Sequence, residues 1–358
     1  MSLFDYGYDE SIKKQIIDEN LQEFEIGRVI LEHKERYLVK IDNGEVDAEI
    51  TGNMRFSAEG REDFPAVGDW ALLKRYDDNF AIIHKILHRK SVLSRQAVER
   101  QGELQIIASN IDYAFLVQAV DRDFNINRLE RYLAICYAAR VAPIIVLTKI
   151  DLVDDARLSE IVESINHRIE GVKIICIDNN MSGYSELDAS LENGKTYCLL
   201  GSSGVGKSTI INNLLGRDAM KTSEISVAVN KGRHTTSHRE LISLPNGGVI
   251  IDNPGMREVG IGDSYEGIGV LYDKIEALAE NCKYKDCKHI NEQSCAVLRA
   301  LENGKLDRDL YKNYQKMIKE SAFFQSNAIE KRQKDKDFGK MVKNIKKGIY
   351  KYNSKDFN

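Results

Sequence analysis

Thr148-Lys149-Ile150-Asp151 stands ahead of Gly201-Ser202-Ser203-Gly204-Val205-Gly206-Lys207-Ser208 in this chain, and the order of these two stretches decides the fold. The second stretch has the G-x-x-x-x-G-K-S spacing of a phosphate-binding loop. Its glycines let the backbone curl until successive N–H groups face phosphate oxygens. Lys207 can then reach β- and γ-phosphates, and the Ser208 hydroxyl can ligate Mg2+. An apolar strand, Thr196–Leu200, runs into the loop, and Ser208 and Thr209 open a helix whose positive end faces the same phosphates. The first stretch closes a buried strand. A carboxylate at Asp151 can accept hydrogen bonds from guanine N1–H and its 2-amino group, which adenine does not offer, so an unpaired Asp151 would reject adenine. The Lys149 stem can cover the purine face. A base-reading motif normally follows the phosphate loop. Here it precedes it, which predicts a circularly permuted nucleotide domain.

Two more pieces follow in order. Asp252-Asn253-Pro254-Gly255 ends the apolar run 248–251, where a carboxylate can hold the Mg2+ water shell and the Gly255 amide can reach a γ-phosphate. Between them lies the polar stretch Lys231-Gly232-Arg233-His234-Thr235-Thr236-Ser237-His238, and a threonine in such a loop can ligate Mg2+ and release it after hydrolysis. Together they read as two switch segments. Strand patterns at 113–120, 141–147 and 172–177 alternate with helix patterns at 125–140 and 155–169, which predicts a parallel sheet with helices on its faces. Pro245-Asn246-Gly247 marks a hairpin. The fold class expected is an α/β permuted P-loop GTPase domain.

The flanks differ. Residues 11–24 read as a helix. From Glu25 to about Ser94, short alternating runs separated by Asn43-Gly44, Gly52-Asn53 and Asp77-Asp78-Asn79 predict a small closed barrel of the oligonucleotide-binding kind, with an SH3-like barrel as the alternative by pattern alone. From about Gly269 the chain is mostly helical and carries Cys282-x4-Cys287-x-His289-x5-Cys295. Three thiolates and one imidazole make a closed tetrahedral zinc shell, which is structural because no open position remains. Cys136, Cys176 and Cys198 sit in apolar runs and read as buried thiols. With 42% hydrophobic and 30% charged residues and a net charge of −4, the composition is that of a globular protein. No apolar run is long enough for a bilayer, so no membrane association and a cytoplasmic location are expected. The segment from Glu330 onward holds ten Lys or Arg against four Asp or Glu, a basic tail suited to a polyanion or simply to solvation.

The motif order, together with Val67-Gly68-Asp69-Trp70, Arg89-Lys90-Ser91-Val92-Leu93-Ser94-Arg95, Gly232-Arg233-His234-Thr235-Thr236 and the Cys282–Cys295 cluster, resembles the circularly permuted, small-subunit-dependent ribosome biogenesis GTPases (the ribosome biogenesis GTPase A type). The resemblance runs from about Glu25 to Lys347. It implies hydrolysis of GTP to GDP and phosphate with Mg2+, stimulation by the small (30S) ribosomal subunit, a role in late maturation of that subunit through rRNA contact, and one structural zinc per chain, with the chain acting as a monomer. It implies GTP contacts from Thr148, Lys149, Asp151, Gly201, Ser202, Ser203, Gly204, Val205, Gly206, Lys207, Ser208, Thr209 and Gly255. The Mg2+ ligands would be Ser208, Thr236 and Asp252, and the zinc ligands Cys282, Cys287, His289 and Cys295. The domains implied are an extension at 1–24, the barrel at 25–95, the permuted GTPase domain at 103–268, the zinc region at 269–329 and the tail at 330–358. Three positions depart from related patterns. Asp178-Asn179-Asn180 replaces a Ser-rich fifth guanine motif, Glu292-Gln293-Ser294 replaces Glu-Pro-Gly, and Met256 stands where Ras-like enzymes have the water-orienting Gln. His234 is the catalytic candidate in its place, with rRNA contact or loop packing as the other readings. A P-loop kinase or ATPase is opposed by Asp151, and a nucleotide-holding RNA adaptor by Lys207, Ser208 and Asp252. A permuted GTPase of the large subunit is disfavoured by the barrel and the Cys/His cluster.

Overall fold

The computed structural model describes residues 2–33, 35–96, 104–121, 124–178, 182–216, 239–245, 247–252 and 264–326. His234, Thr236, Gly255, Met256 and the basic tail lie outside the described residues.

Helix α1 spans Glu10–Asp18, shorter than the 11–24 pattern suggests. The Asp9 side chain caps it by accepting from Ser11 N and Ile12 N. The chain leaves the helix through Asn20, whose φ of 55° is left-handed and ends the helical hydrogen bonding. Ile12, Ile16, Leu21 and Phe24 then lie against Trp70, Leu72 and Leu87. Strands β1 (Glu25–His33), β2 (Arg36–Ile41), β3 (Gly44–Ile50), β4 (Trp70–Arg75) and β5 (Phe80–Ile86) close in the order β1-β2-β3-β5-β4-β1. All pairs are antiparallel except β3–β5. Alternate residues point inward, as a period of two requires, and Tyr37, Val39, Ile41, Val46, Ala48, Ile50, Ala71, Leu73, Ala81 and Ile83 fill the interior. A short helix, α2 (Gly52–Ser57), joins β3 to β4. This closed order is that of the oligonucleotide-binding barrel rather than the SH3-like alternative.

Val92–Gln96 (β6) does not join the barrel. It pairs with Leu104–Ser109 (β7) as a separate antiparallel ribbon, because β4 already closes on β1. The nucleotide domain follows with β8 (Tyr113–Ala119), α3 (Ile126–Ala138), β9 (Ala142–Thr148), α4 (Asp155–Arg168), β10 (Lys173–Cys176), α5 (Tyr184–Ala189), β11 (Thr196–Leu200), α6 (Lys207–Leu215), β12 (Glu240–Ser243) and β13 (Val249–Asp252). The order β10-β9-β8-β11-β13 is parallel, and β12 lies antiparallel at its edge. That edge is covered, because Leu31 of β1 pairs with Glu240 of β12. Barrel and nucleotide domain thus share one sheet. They also share one core, in which Ile30 and Val67 meet Leu93, Ile107, Leu241 and Ile251.

At this junction Arg28 is 1% exposed. Its guanidinium donates to Gly68 O at 3.2 Å, Asn110 O at 3.2 Å, Thr196 Oγ1 at 2.9 Å and Tyr6 O. Burial lowers its pKa to about 10, against Asp112, Asp69 and Asp9, which raise it.

The C-terminal part comprises α7 (Tyr265–Leu271), α8 (Asp273–Ala279), α9 (Ala296–Glu302) and a helical run at 308–326. It docks on α3. A Cβ at Gly267 would lie 1.9 Å from the Ala134 carbonyl oxygen, so only glycine permits that approach. Glu130 of α3, fully buried, accepts from Arg168 Nε and Nη2 at 2.8 and 2.7 Å, from the Tyr272 hydroxyl at 2.9 Å and from Asn313 Nδ2 at 2.5 Å. Burial raises its pKa and Arg168 opposes the shift.

Replacing Arg28 by Met keeps the bulk but strands buried acceptors, each costing about 1–3 kcal/mol. Arg28→Met should therefore lose about 3 kcal/mol or more of stability, read as a lower urea midpoint with a linked loss of barrel and nucleotide-domain signals. An unchanged midpoint would remove Arg28 from this role.

Candidate nucleotide site and metal centre

The C-terminal ends of the parallel strands are where an open α/β sheet presents its ligand-binding loops. Here β11 ends at Leu200, just before Gly201, β9 at Thr148, β13 at Asp252 and β10 at Cys176, two residues before Asp178. The reversed chain order therefore still brings the phosphate loop, the base-reading turn and the second-switch carboxylate to one edge.

The phosphate loop keeps left-handed glycines at Gly204 (φ 81°) and Gly206 (φ 98°). Gly201 is needed for space, since a Cβ there would lie 2.5 Å from Val117 O. Val205 is buried beneath the loop, Ser203 and Gly204 are exposed, and Ser202, Lys207, Ser208 and Thr209 are half-buried. Lys207 Nζ folds back to donate to Gly201 O at 2.7 Å and Ser202 O at 2.6 Å. Burial lowers its ammonium pKa to about 8, with Asp252 opposing. Asp252 is itself buried, and burial raises its pKa while Lys207 lowers it. The pair places a cation and a carboxylate beside the phosphate loop, a donor set whose chemistry could take a phosphate and a divalent ion.

Thr148, where many GTPases carry Asn, is 4% exposed and donates its hydroxyl to Val205 O at 2.7 Å. Thr148 thus ties the base-reading turn to the phosphate loop. Lys149 takes a left-handed φ of 59°, and its Nζ pairs with Asp121 Oδ2 at 3.1 Å. Asp151 is exposed. Ile177 N donates to Leu147 O at 2.8 Å, which sets the chain after β10 beside this turn. There Ser182 N donates to Asp178 Oδ1 at 2.8 Å, while residues 179–181 lie outside the described set.

Three contributors escape sequence reading. Gln118, buried in β8, uses its amide to hold Asn125 N and O, both at 2.9 Å, and so fixes the start of α3. Asp121 receives Lys149. Tyr132 of α3 is hydrogen-bonded to Ser202 of the phosphate loop. A lone polar residue in an apolar strand was the only available signal, and it marked Gln118.

The second centre gathers Cys282, Cys287, His289 and Cys295, with all ligand atoms within 4.8 Å of one another. Cys282 Sγ is 3.7 Å from Cys295 Sγ, and His289 Nδ1 lies 3.6 and 3.4 Å from these two sulfurs. A zinc tetrahedron with metal–sulfur bonds of about 2.3 Å and metal–nitrogen bonds of about 2.0 Å has edges of about 3.5–3.8 Å, so the cluster fits zinc. Ala296 N and Leu298 N, at the start of α9, donate to Cys282 Sγ and Cys295 Sγ. The Glu-Gln-Ser departure keeps what the loop requires. The Glu292 carboxylate accepts from Lys288 N, Ile290 N and Asn291 N, bonds led by Lys288 N that lower its pKa to about 2. Ser294 takes a left-handed φ of 64° where the related pattern has glycine.

Comparison with known proteins matches this geometry. The RsgA GTPase family model matches residues 86–262. "Small ribosomal subunit biogenesis GTPase RsgA 1" of Bacteroides thetaiotaomicron is 37% identical over 346 residues, 96% of each chain. The chain belongs to the RsgA GTPase family. A second relative, "Small ribosomal subunit biogenesis GTPase RsgA 2" of Lactiplantibacillus plantarum, is 41% identical over 344 residues, 95% of each chain. The crystal structure of YjeQ from Thermotoga maritima has a TM-score of 0.60 at 24% identity, covering 83% of this chain and 98% of its own. YloQ, described as a circularly permuted GTPase, has a TM-score of 0.60 at 23% identity, covering 83% and 94%. These two likenesses show the permuted fold. Membership of the RsgA family implies a guanine nucleotide and Mg2+.

Two outcomes follow from these sites. Lys207 without nucleotide is charged below about pH 8 and loses its proton above it, whereas bound phosphate would retain that proton. GDP affinity is therefore full well below pH 8 and should fall about four-fold between pH 7 and 8.5. Isothermal titration of Lys207→Met, weaker at both pH values, should show no such slope, and an equal slope would place the titrating group elsewhere. Metal analysis should find one zinc per chain. Cys287→Ser should lose it together with binding energy on the order of 10 kcal/mol that holds this region folded, read as protease cleavage within residues 280–296.

Proposed function

We propose that this chain hydrolyses GTP to GDP and phosphate when seated on the small ribosomal subunit and acts in late maturation of that subunit through rRNA contact. The observation that carries the reading is the Thr148–Val205 bond, which joins a guanine-reading turn to a phosphate loop across a reversed chain order. Names of relatives, "small ribosomal subunit biogenesis GTPase", supply the partner.

In this reading the backbone of Gly201–Thr209, Lys207 and the Gly255 amide hold the phosphates, and Lys149 and Asp151 hold the guanine, with Thr148 bracing both. Ser208, Thr236 and Asp252 would hold Mg2+, which when bound neutralises charge developing on the phosphates. Lys207 leaves its Gly201 and Ser202 carbonyls for the β- and γ-oxygens. His234 orients the attacking water in place of a glutamine at Met256. Zinc held by Cys282, Cys287, His289 and Cys295 is structural. The domains are the extension 1–24, barrel 25–95, nucleotide domain 103–268, zinc region 269–329 and basic tail 330–358, in a cytoplasmic monomer. Among the described residues no helix is long and apolar enough to cross a membrane. The knuckle that surrounds the metal ligands exposes Lys283, Tyr284, Lys285, Lys288 and Ile290, a charged and stackable surface suited to RNA. The tail adds phosphate contacts, which weaken steeply with salt.

GTP turnover with and without purified small subunits is the decisive measurement. Subunits should raise kcat, and His234→Ala should cut the stimulated kcat by about 100-fold or more with little change in subunit affinity. Truncation after Ile329 should flatten the salt dependence of subunit binding. Unstimulated turnover would sink the ribosomal reading, and an unchanged His234→Ala kcat would sink the catalytic assignment.

A further inference from the structure

The sheet order β10-β9-β8-β11 puts β8 between the strand of the base-reading turn and the strand that feeds the phosphate loop. A nucleotide with its phosphates at Gly201–Ser208 and its purine at Thr148–Asp151 must therefore pass over the C-terminal end of β8. Just past that end stands Asp121, whose Oδ2 accepts from Lys149 Nζ at 3.1 Å. The two side chains are in direct contact and only partly open to water, at 21% exposed for Lys149 and 29% for Asp121. No motif in the sequence singles out Asp121.

Backbone bonds hold both partners in place. Strands β8 and β9 run parallel with Ala119 beside Thr148, and Val120 N donates to Thr148 O at 3.1 Å. Phe124 N donates to Asp121 O at 3.1 Å, and the Gln118 amide holds Asn125 N and O, both at 2.9 Å. Lys149 sits at a left-handed φ of 59°, a conformation that a non-glycine residue keeps only where its surroundings impose it. The backbone turn and the Asp121 carboxylate thus fix the two ends of a four-carbon stem. A loose lysine stem must give up its rotamer freedom when a ligand packs on it. Here the ion pair orders the stem before any purine arrives, and an ordered apolar stem is a platform that a flat ring can cover at lower entropic cost.

We propose that Asp121 is a positioning residue for purine binding: by holding the Lys149 ammonium at the end of β8, it lays the lysine stem along the path that the nucleotide takes from the base-reading turn to the phosphate loop. This rests on the reading of Thr148–Asp151 as the base-reading turn. Asp121 acts through Lys149 and touches no reacting atom. The roles divide by chemistry. Every purine presents a flat face, so Asp121 and Lys149 set affinity, whereas Asp151 selects guanine through its edge groups.

Titration calorimetry of the full chain with GDP, inosine diphosphate and ADP tests this in wild type, Asp121→Asn, Lys149→Met and the double variant. Asp121→Asn keeps the shape of the side chain and removes its charge. It should weaken GDP and inosine diphosphate alike by about ten-fold, within the range of coupling between residues in contact, and so leave the ratio of the two affinities as in wild type. In the Lys149→Met background the same change should weaken GDP by no more than about two-fold. Asp121→Glu keeps a carboxylate that the flexible lysine can follow and should stay within about three-fold of wild type. An unweakened Asp121→Asn overturns the proposal, and so does an Asp121→Glu as weak as Asp121→Asn. An equal second loss in the Lys149→Met background also overturns it, since a contribution that ignores Lys149 is merely structural. A changed ratio of GDP to inosine diphosphate would overturn it by placing Asp121 on the guanine edge. Should Asp121→Asn fail to fold, Asp121→Ser enters the same cycle. A wild type that binds ADP as tightly as GDP removes the base-reading turn and this proposal together. A guanine-selective wild type with an unweakened Asp121→Asn removes only the positioning role.

Discussion

The buried guanidinium of Arg28 is the constraint on which the arrangement of this molecule depends. A cation out of water must have its donors filled, and Arg28 fills them with the carbonyls of Tyr6, Gly68 and Asn110 and the hydroxyl of Thr196. Those acceptors come from the N-terminal extension, the barrel, the segment leading to β8 and the strand that feeds the phosphate loop. None can move without leaving a buried polar group unpaired. Nearby, Asp69 receives Arg89 at 2.7 Å and holds Ala66 N at 2.8 Å, and Asn110 donates to Gly68 O at 3.0 Å. The Val67-Gly68-Asp69 and Arg89-Lys90-Ser91 stretches that mark the resemblance in sequence are thus parts of a polar seam. The seam gives the barrel one orientation on the nucleotide domain.

Helix α3 makes a second connection of comparable rigidity. Its start is fixed by Gln118, its Tyr132 reaches Ser202 of the phosphate loop, and its Glu130 binds Tyr272 and Asn313 of the C-terminal part. Arg131 adds an ion pair to Glu320 at 2.6 Å. The zinc-fitting cluster is therefore carried by helices anchored to a nucleotide-domain helix, in addition to its chain connection through 253–263.

Much of this was legible in the sequence, for identifiable reasons. The phosphate loop, the strand–helix alternation and the Cys/His spacing are local patterns whose chemistry fixes residue type at each step. Barrel strands were visible because alternation has a period of two, while their closure order depended on β1 pairing with both β2 and β4, a non-local fact. The ribbon β6–β7 was missed because neither strand has a distinctive pattern without its partner. Arg28 could not be singled out, since an arginine in a strand reads as a solvent-facing residue until four distant acceptors surround it. Thr148 was read as a base contact. Its hydroxyl also donates to Val205 O, a bond that only the folded proximity of β9 and the phosphate loop reveals.

Permutation explains why these connections fall where they do. Starting the nucleotide domain at β8 leaves β12 and β13 as its last strands, so the edge strand β12 lies open to whatever precedes the domain. An exposed edge invites unwanted pairing, and β1 of the barrel occupies it at Leu31–Glu240. The chain that follows β13 must then leave from the second-switch carboxylate Asp252, and what it leads to returns to α3 rather than to the same edge. Each switch strand consequently has a different appended body joined to it, the barrel by sheet pairing and the zinc region by chain continuity. The barrel therefore meets the nucleotide domain through a sheet edge, and the C-terminal part meets it through α3.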